Sequence, residues 1–444
     1  MSVVDVANSL LSAKPLCDNC LGRQFALLGY GLTNRERGKA IKLLLLFEGH
    51  RLISVGDTMG LSMLEGLANN GLSFESVNQI LSSIDVEVEK QYKKCHLCEG
   101  RFEHLDELAE QVVEELNKFE YSSFLIGVRL PLHIEEKEDE MRAEFNIMWG
   151  ENIKGEFSRE LGKIIAKLTG IEVDFRRPDI LVIIDPYEKK LKIHVNSVFI
   201  KGRYTKLVRG IPQSRWLCRE CQGHGCPNCN DTGKQYTESV EELISEHILQ
   251  ATKGISEKFH AAGREDIDAR VLGEGRPFII EVLEPKIRTP PLDVLRRDVN
   301  SHASGKVEVS ELSFSSKASV QRMKASGQSK KSYRALIEFD EDVSEEKLKE
   351  VENILNGATI MQSTPLRVMH RRADRVREKN IYKLKLKQLK PTKAELYIRC
   401  QGGLYVKELI SGDGGRTTPS ISGLSETPTK CLELDVLEVS LKEF

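Results

Sequence analysis

Residues 263–282 read GREDIDARVLGEGRPFIIEV, and this stretch decides what the second half of the chain can be. A glycine begins a turn that carries three carboxylates within four positions, Glu265, Asp266 and Asp268, before an apolar run. Glycine allows an unusual backbone conformation, and the strand that follows fixes the root of the turn. The stretch therefore predicts a carboxylate held beside a strand, although an acidic surface turn is the plainer alternative for these residues taken alone.

Around this stretch the apolar pattern favours a sheet with few helices. We predict helices at 239–252 and 345–355, and a Ser- and Lys-rich loop at 313–331. The expected architecture is a mixed, mainly antiparallel sheet. Alternating or β-branched segments predict strands at 268–273, 278–283, 334–339, 381–389, 394–400 and 432–437.

The first half of the chain is expected to be helical and then α+β. Helical periodicity covers residues 38–48, 61–68 and 74–84, and continues at 104–119 and 154–169. Apolar segments predict strands at 124–130, 180–184 and 191–195, followed by a basic stretch at 199–209. The fold class of the whole chain is therefore α+β.

Composition narrows the class of protein. The 444 residues provide for two or three domains, and 40% hydrophobic with 30% charged residues is typical of a soluble globular protein. The leucine run at residues 43–46 is far shorter than the roughly 20 apolar residues of a membrane span. No basic stretch leads into an apolar segment at the N-terminus, so we expect a cytoplasmic protein with no membrane partner.

Charge is segregated along the chain although the net charge is only −2. Basic residues exceed acidic ones by seven, seven and nine in residues 176–215, 286–334 and 367–399. Segregated basic surface attracts polyanions. One such window is often an ordinary solvated face, but three together favour RNA or DNA as the partner.

Eight of the ten cysteines form four Cys-x-x-Cys pairs, and two such pairs supply the four thiolates of a tetrahedral zinc site. Two pairs are separated by only four residues, whereas the other two are 74 residues apart and must meet through folding. We expect two structural zinc ions, because four sulfur ligands leave no position for water or substrate. Redox-active pairs are the alternative. The predicted ligands are Cys17, Cys20, Cys95, Cys98, Cys218, Cys221, Cys226 and Cys229.

Four segments, in order, resemble the archaeal tRNA pseudouridine-54/55 synthase family. Residues 263–278 are the most similar, and GRED also resembles the GRTD turn of the bacterial TruA pseudouridine synthases. KSYRAL (331–336), TPLRVMHRRADRVR (364–377) and GLYVKELISGDGGRTTPSI (403–421) resemble the family's tyrosine, basic and third motifs. RPDILVIID (177–185) and HVNSVFIKGRYTK (194–206) resemble the THUMP domains of tRNA-modifying enzymes.

The resemblance implies an isomerase that breaks the C1′–N1 bond of uridine, turns the uracil and rejoins it through C5 without a catalytic cofactor. Asp266 matches the carboxylate that acts on the sugar, as a nucleophile at C1′ or a base at C2′, and the sequence leaves both routes open. Desolvation raises the pKa of a carboxyl group, so a cation is needed to keep it ionised. Lys407, in a segment predicted to be a strand, matches that cation.

The resemblance also implies residues that contact the substrate. Tyr333 is placed to stack on the uracil and orient a proton, Tyr405 shares the face of Lys407 on the predicted strand, and Leu434 packs beneath the base. Core packing is the alternative for Tyr333, and for Leu434 a core position and a position beneath the base are physically the same. The implied partner is tRNA, with uridines 54 and 55 of the TΨC arm as targets. Phosphate contacts are expected from Arg264, Arg367, Arg371, Arg372, Arg375 and Arg377.

We expect four regions: a zinc-binding helical region at 1–102, a THUMP-like RNA-binding module at 103–215, a cysteine knuckle linker at 216–238 and a catalytic domain at 239–444. A noncatalytic zinc-containing tRNA-binding or maturation factor is the second hypothesis. A zinc-hinged chaperone is a third, suggested by CxxCxGxG at 218–225, but that motif occurs only once and hinge arrays need repeats. The sequence indicates no oligomeric state.

Overall fold

The computed structural model describes residues 2–72, 75–87, 93–325, 329–371 and 373–441. The chain divides into two compact units, residues 1–196 and 197–444. In the described part of the chain, no helix combines the length and the apolar character needed to cross a membrane.

The first unit begins with five helices, and the apolar periodicity predicts the third, fourth and fifth of them. Close packing of the second on the third requires glycine, because a Cβ on Gly22 or Gly38 would lie 1.9 Å from a backbone oxygen of the facing helix. Cys17 is the N-cap residue of the second helix, so this packing also positions the first cysteine pair. The helices are α1 (Val3–Ala13), α2 (Asp18–Arg23), α3 (Asn34–Ser54), α4 (Thr58–Asn70) and α5 (Glu75–Ser82).

The rest of this unit is an α/β arrangement around a four-stranded sheet. Its elements are α6 (Leu105–Leu116), β1 (Ser123–Val128), α7 (Leu132–Glu144), α8 (Ile153–Thr169), β2 (Glu172–Val173), β3 (Ile180–Asp185) and β4 (Lys190–Val195). The strand order is β2-β1-β3-β4, with β4 antiparallel to β3 and the other pairs parallel. Sequence patterning missed α7 because charged residues fill most of it, and only Ile134, Glu138 and Met141 are buried.

The second unit is built on a large sheet. Its helices are α9 (Val240–Thr252), α10 (Leu292–His302), α11 (Lys317–Ala325), α12 (Glu345–Leu355), α13 (Val406–Ser411) and α14 (Ile421–Ser425). Its strands are β5 (Val198–Lys206), β6 (Ser256–Ala261), β7 (Ala269–Leu283), β8 (Val307–Ser315), β9 (Lys330–Phe339), β10 (Thr359–Gln362), β11 (Arg377–Lys390), β12 (Lys393–Gln401), β13 (Thr417–Thr418) and β14 (Thr429–Val439).

The strand order is β13-β10-β11-β12-β9-β14-β7-β5-β8, and β6 pairs with β7. Only β7 and β14 are parallel among the described pairs, so the prediction of a mixed, mainly antiparallel sheet is confirmed. The parallel pair aligns Leu434 with Ala269, the first residue after the acidic turn. The sheet therefore places the last long strand beside that turn.

Two local predictions were wrong. Residues 268–273 and 278–283 belong to one strand, β7, because Gly273 and Gly275 adopt positive φ and the chain continues through a segment that looks like a turn in sequence. Most of the loop predicted at 313–331 is the end of β8, helix α11 and the start of β9; residues 326–328 lie outside the described part. Helix α11 has few apolar residues but buries Val320 and Met323, so tertiary packing decides its conformation.

The boundary between units also differs from the expected one. The sequence predicts one module at 103–215, but β5 pairs with β7 and β8 and therefore belongs to the second unit. The sequence predicts the basic stretch at 199–209 as an edge of that module, and the resemblance of residues 194–206 to THUMP domains favours the same placement. Its backbone hydrogen bonds, which the sequence does not reveal, join it to the large sheet instead.

Candidate active site

A cavity of about 370 Å³ lies beside the start of β7, and the acidic turn forms one of its walls. Seven predicted site residues from separate segments line it: Arg264, Asp266, Tyr333, Arg367, Tyr405, Lys407 and Leu434. These residues span more than 160 positions of sequence, so the fold alone brings them together.

The Asp266 carboxylate lies between two cations. Its Oδ1 is 3.0 Å from Nη1 of Arg367, and its Oδ2 is 3.5 Å from Nζ of Lys407. Charged partners at such distances fix the orientation of the carboxylate. The predicted pairing with Lys407 is therefore present, and Arg367, which the sequence predicted to contact phosphate, is a second and closer partner.

The sequence predicts Lys407 on a strand, and this prediction is wrong because Lys407 lies in a helix. Helix α13 begins at Val406, and Tyr405 is its N-cap residue. Val406, Leu409 and Ile410 are buried at helical spacing, but six residues are too few for the periodicity to distinguish a helix from a strand. Tyr405 and Lys407 reach the same cavity because the helix starts at its edge.

Lys407 is closer to Asp268 than to Asp266. Its Nζ donates to both Asp268 oxygens, at 2.8 and 2.7 Å. Burial by itself raises the pKa of Asp268, but the hydrogen bonds and charge of Lys407 outweigh it and hold this pKa below its ordinary value. Sequence reasoning noticed Asp268 as one of three carboxylates and gave it no role. Its position two residues after Asp266 was the available signal.

A fifth charged residue completes a chain of alternating charges. Glu408 is buried, and its Oε1 is 2.6 Å from Nε of Arg367. The order in space is Glu408, Arg367, Asp266, Lys407 and Asp268, so each cation beside Asp266 is itself held by another carboxylate. This arrangement restricts both Asp266 oxygens to defined directions.

Two basic side chains hold the backbone of the acidic turn. Lys206 is fully buried, and its Nζ donates to the carbonyl oxygens of Ile211, Asp266 and Ile267 at 2.9, 3.3 and 3.0 Å. Burial lowers the pKa of Lys206 to about 8. Nη1 of Arg209 donates to the carbonyl oxygen of Asp268 at 2.7 Å. These residues of the basic stretch therefore support the turn.

Glu265, the first carboxylate of the turn, has its side chain in a buried polar network. It is 2.9 Å from Nε of Arg276 and accepts a hydrogen bond from the hydroxyl of Tyr204 at 2.9 Å. Gln213 also donates to it, at 3.1 Å. The three carboxylates of the turn thus differ in environment, and Asp266 is the one placed between two cations at the cavity.

Another part of the cavity wall is apolar and aromatic. Leu434 on β14 is 8% exposed, and Leu404 and Val436 are also buried in the cavity wall. Burial raises the pKa of Tyr333, so its hydroxyl stays protonated and can donate a hydrogen bond. An aromatic ring, an apolar floor and an oriented carboxylate suit a flat, uncharged ring attached to a sugar.

Of the other predicted arginines, only Arg264 is among the described residues that line this cavity. Arg264 lines it but has its guanidinium 5.2 Å above the ring of Trp216, a residue that sequence reasoning missed. Arg377 donates to the hydroxyl of Thr364 at 2.9 Å and lines a neighbouring cavity. Arg375 is exposed and lines neither cavity. Arg372, and the side chain of Arg371, lie outside the described residues.

The eight paired cysteines form two clusters, each able to hold a metal ion. Sulfur ligands arranged as a tetrahedron about 2.3 Å from zinc lie about 3.8 Å apart. The structure has Cys17 and Cys98 Sγ atoms 3.7 Å apart in one cluster. In the other, Cys218 and Cys226, and Cys221 and Cys229, are each 3.8 Å apart. Both clusters therefore fit a tetrahedral metal ion.

Surrounding groups also suit thiolate ligands. Nη1 of buried Arg23 is 3.4 Å from Sγ of Cys20, and the backbone N–H of Cys17 donates to Sγ of Cys95 at 3.4 Å. In the second cluster the N–H of Gly233 donates to Sγ of Cys229 at 3.2 Å. Such donors stabilise the negative charge of metal-bound sulfur.

Comparison with known proteins finds two matching family models and several similar whole chains. A family model described as "Pus10, C-terminal" matches residues 199–440, and one described as "Pus10 THUMP domain, archaeal" matches residues 108–185. The chain is 42% identical to the tRNA pseudouridine synthase Pus10 of Methanothrix thermoacetophila, over 98% of this chain and 94% of the relative. The corresponding proteins of Methanopyrus kandleri and Methanocaldococcus jannaschii are each 44% identical, over 95% and 97% of this chain and 95% and 93% of theirs.

The chain is therefore a pseudouridine synthase, an isomerase. The chain belongs to the Pus10 family.

Proposed function

We propose that this synthase converts uridines 54 and 55 in the TΨC arm of tRNA to pseudouridine. The relatives are named tRNA pseudouridine synthases, which supports tRNA as the substrate. The segments that resemble the archaeal 54/55 synthases support the positions. The observation on which the chemistry rests is the Asp266 carboxylate between Arg367 and Lys407, in a cavity with an apolar floor.

In the proposed reaction Asp266 acts on the ribose of the target uridine, by attack at C1′ or by removal of the C2′ proton. Both routes need an ionised carboxylate, and Arg367 and Lys407 supply positive charge to each of its oxygens. The protonated hydroxyl of Tyr333 is the group that orients a proton transfer to or from the uracil. Leu434 forms the surface on which the free uracil turns.

A uridine in folded RNA must leave its stack before it reaches Asp266, at a cost of a few kcal/mol. Stacking on an aromatic side chain offsets part of that cost. Tyr333 and Tyr405 both line the cavity and are the rings proposed for this contact. The exposed basic residues of the second unit, such as Arg375, supply phosphate contacts that make binding depend on salt.

We propose that the metal in both cysteine clusters is zinc. Zinc supplies a structural cross-link there, since four cysteines complete its coordination. Cys17, Cys20, Cys95 and Cys98 would hold one ion, and Cys218, Cys221, Cys226 and Cys229 the other. Thiolate ligands need a reducing compartment, which supports the proposed cytoplasmic location.

The substrate positions are tested with unmodified tRNA transcripts in which uridine 54, uridine 55 or both are replaced by cytidine. We expect two pseudouridines per wild-type transcript, one in each single replacement and none in the double replacement. A matched replacement of a uridine in the anticodon arm is expected to leave the yield unchanged. Pseudouridine formed in the double-replacement transcript would contradict the proposed positions.

Lys407 is expected to contribute to the rate rather than to tRNA binding. Lys407→Met removes one cation from Asp266 and the partner of Asp268, and we expect kcat to fall about 100-fold with KM changed little. Lys407→Arg keeps the charge and should retain more activity than Lys407→Met. Single-turnover rates at saturating tRNA measure this.

Lys430→Met is the matched control, because Lys430 is exposed and pairs with Asp340 away from the cavity. It should keep the wild-type rate. A Lys407→Met enzyme whose kcat equals that of Lys430→Met would show that Arg367 alone suffices to hold Asp266.

A further inference from the structure

A second cavity adjoins the one around Asp266. Its volume is about 490 Å³, and it shares the side chains of Tyr333 and Tyr405, with Leu404 and Arg264, as a common wall with the first cavity. The shared wall is the surface proposed above to receive the uracil. Any group in the second cavity therefore lies next to the bound nucleotide.

The second cavity is strongly cationic. Among the described residues that line it, none is a carboxylate. Apolar and small residues such as Met323 and Ala262 complete the wall. Like charges gathered around one cavity repel each other unless an anion enters it. The basic residues that line it are Arg264, Lys324, Lys331, Arg377 and Lys379.

Lys331 is the residue that points most clearly to a ligand. It lies on β9, is partly buried, and its charged neighbours are Arg276, Glu265 and Lys379. Glu265 is already paired with Arg276 at 2.9 Å, and within the described part of the chain Lys331 has no carboxylate at ion-pair distance. Burial and the charge of Arg276 lower the pKa of Lys331 to about 8, so an anion beside it would relieve an unfavourable charge.

The Lys331 ammonium also touches the turn that carries Asp266. A Cβ on Gly263, which has φ of +85°, would lie 2.5 Å from Nζ of Lys331. Glycine at this position thus lets the ammonium lie directly against the backbone, three residues before Asp266. An anion held by Lys331 would be fixed relative to the turn.

We propose that this cavity binds a backbone phosphate of the RNA strand next to the target uridine, with Lys331 as its main contact and Lys379 and Arg377 around it. The proposal rests on the proposed function, since it takes the nucleotide beside the shared wall to be a uridine of an RNA strand. A phosphodiester carries one negative charge and oxygen acceptors, which matches a cavity with basic side chains and no carboxylate among its described residues. Lys331 is in this proposal a positioning residue, because it holds the strand and does not touch the reacting atoms.

The first test measures tRNA binding as a function of salt. Lys331→Met should raise the Kd for an unmodified tRNA transcript about 10-fold near 0.1 M salt. The loss of one phosphate contact should also reduce the magnitude of the slope of log K against log salt concentration by roughly 0.7 to 0.9. Lys331→Arg should restore most of both. The neighbouring Lys330→Met is the matched control, because Lys330 is exposed and lies over the ring of Tyr382, outside the cavity. An unchanged slope in a folded Lys331→Met protein would overturn the proposal.

The second test locates the contact on the RNA with the wild-type protein, and the folded Lys331→Met protein is its comparison. Single uncharged methylphosphonate linkages are placed one at a time across a TΨC-arm hairpin. One linkage beside the target uridine should weaken wild-type binding about 10-fold and leave Lys331→Met binding unaffected. Equal losses for both proteins at every linkage would contradict a phosphate at Lys331. Pseudouridine yield is scored separately, so a hairpin that binds in this way without being modified would remove the proposed function and leave the phosphate site standing.

Discussion

Replacing Asp266 with asparagine is expected to lower the rate of pseudouridine formation at least about 1,000-fold. The amide has nearly the shape of the carboxylate but no charge, so it can neither attack C1′ nor take the C2′ proton. It also leaves Arg367 and Lys407 without the anion between them. Pseudouridine formed on an unmodified tRNA transcript in a single turnover is the measurement.

Binding distinguishes lost chemistry from a lost fold. Asp266→Asn removes a negative charge from a cavity that receives a polyanion, so its affinity for tRNA should be retained or increased. Asp268→Asn is the comparison in the same turn: it removes the closer partner of Lys407 but leaves Asp266 in place, and about a 10-fold loss of rate is expected. Equal activity of wild type and Asp266→Asn would end the catalytic role of Asp266 and favour a noncatalytic tRNA-binding factor.

The second large effect is expected on thermal stability, when the metal ions are removed. Structural zinc contributes about 10 kcal/mol or more of binding free energy to small domains that depend on it. The cluster of Cys17, Cys20, Cys95 and Cys98 joins α2 to a segment some 75 residues later, and buried Arg23 binds Cys20 within the same core. A strong chelator should therefore lower the melting temperature of the first unit by more than 10 °C, about the shift that a loss of several kcal/mol gives.

Metal content per chain tests the two clusters separately. Wild type should contain two zinc ions, and Cys98→Ser or Cys229→Ser should each contain one. Cys431→Ser is the matched control, because Cys431 belongs to neither cluster, and it should keep both ions. If the wild-type protein contained one zinc ion and Cys229→Ser did not change that number, the cluster that includes Cys229 would not be a zinc site.

Local patterns were sufficient for much of the architecture. Helix α12 has the predicted bounds because Leu348, Val351 and Leu355 repeat on one face and Ser344 caps the first turn. The cysteine spacing was sufficient to group all eight paired cysteines into two clusters, since two residues between thiolates suit a metal knuckle. Patterns failed where contacts from outside the segment decide the conformation, as in α11, α13 and the glycine-containing middle of β7.

By itself, the sequence determined which residue types are available: the carboxylate turn, the tyrosine and the lysine for the reaction, and the cysteine pairs for metal binding, are all recognisable in linear order. Only the tertiary structure decided their partners. It gave Asp266 a second cation in Arg367, placed Lys407 closest to Asp268, and turned Lys206 and Arg209 toward the backbone of the turn. The physical reason is that charge acts through space over a few ångströms, and residues that lie close together in the fold can be far apart in the chain: Asp268 and Lys407 are separated by 139 positions.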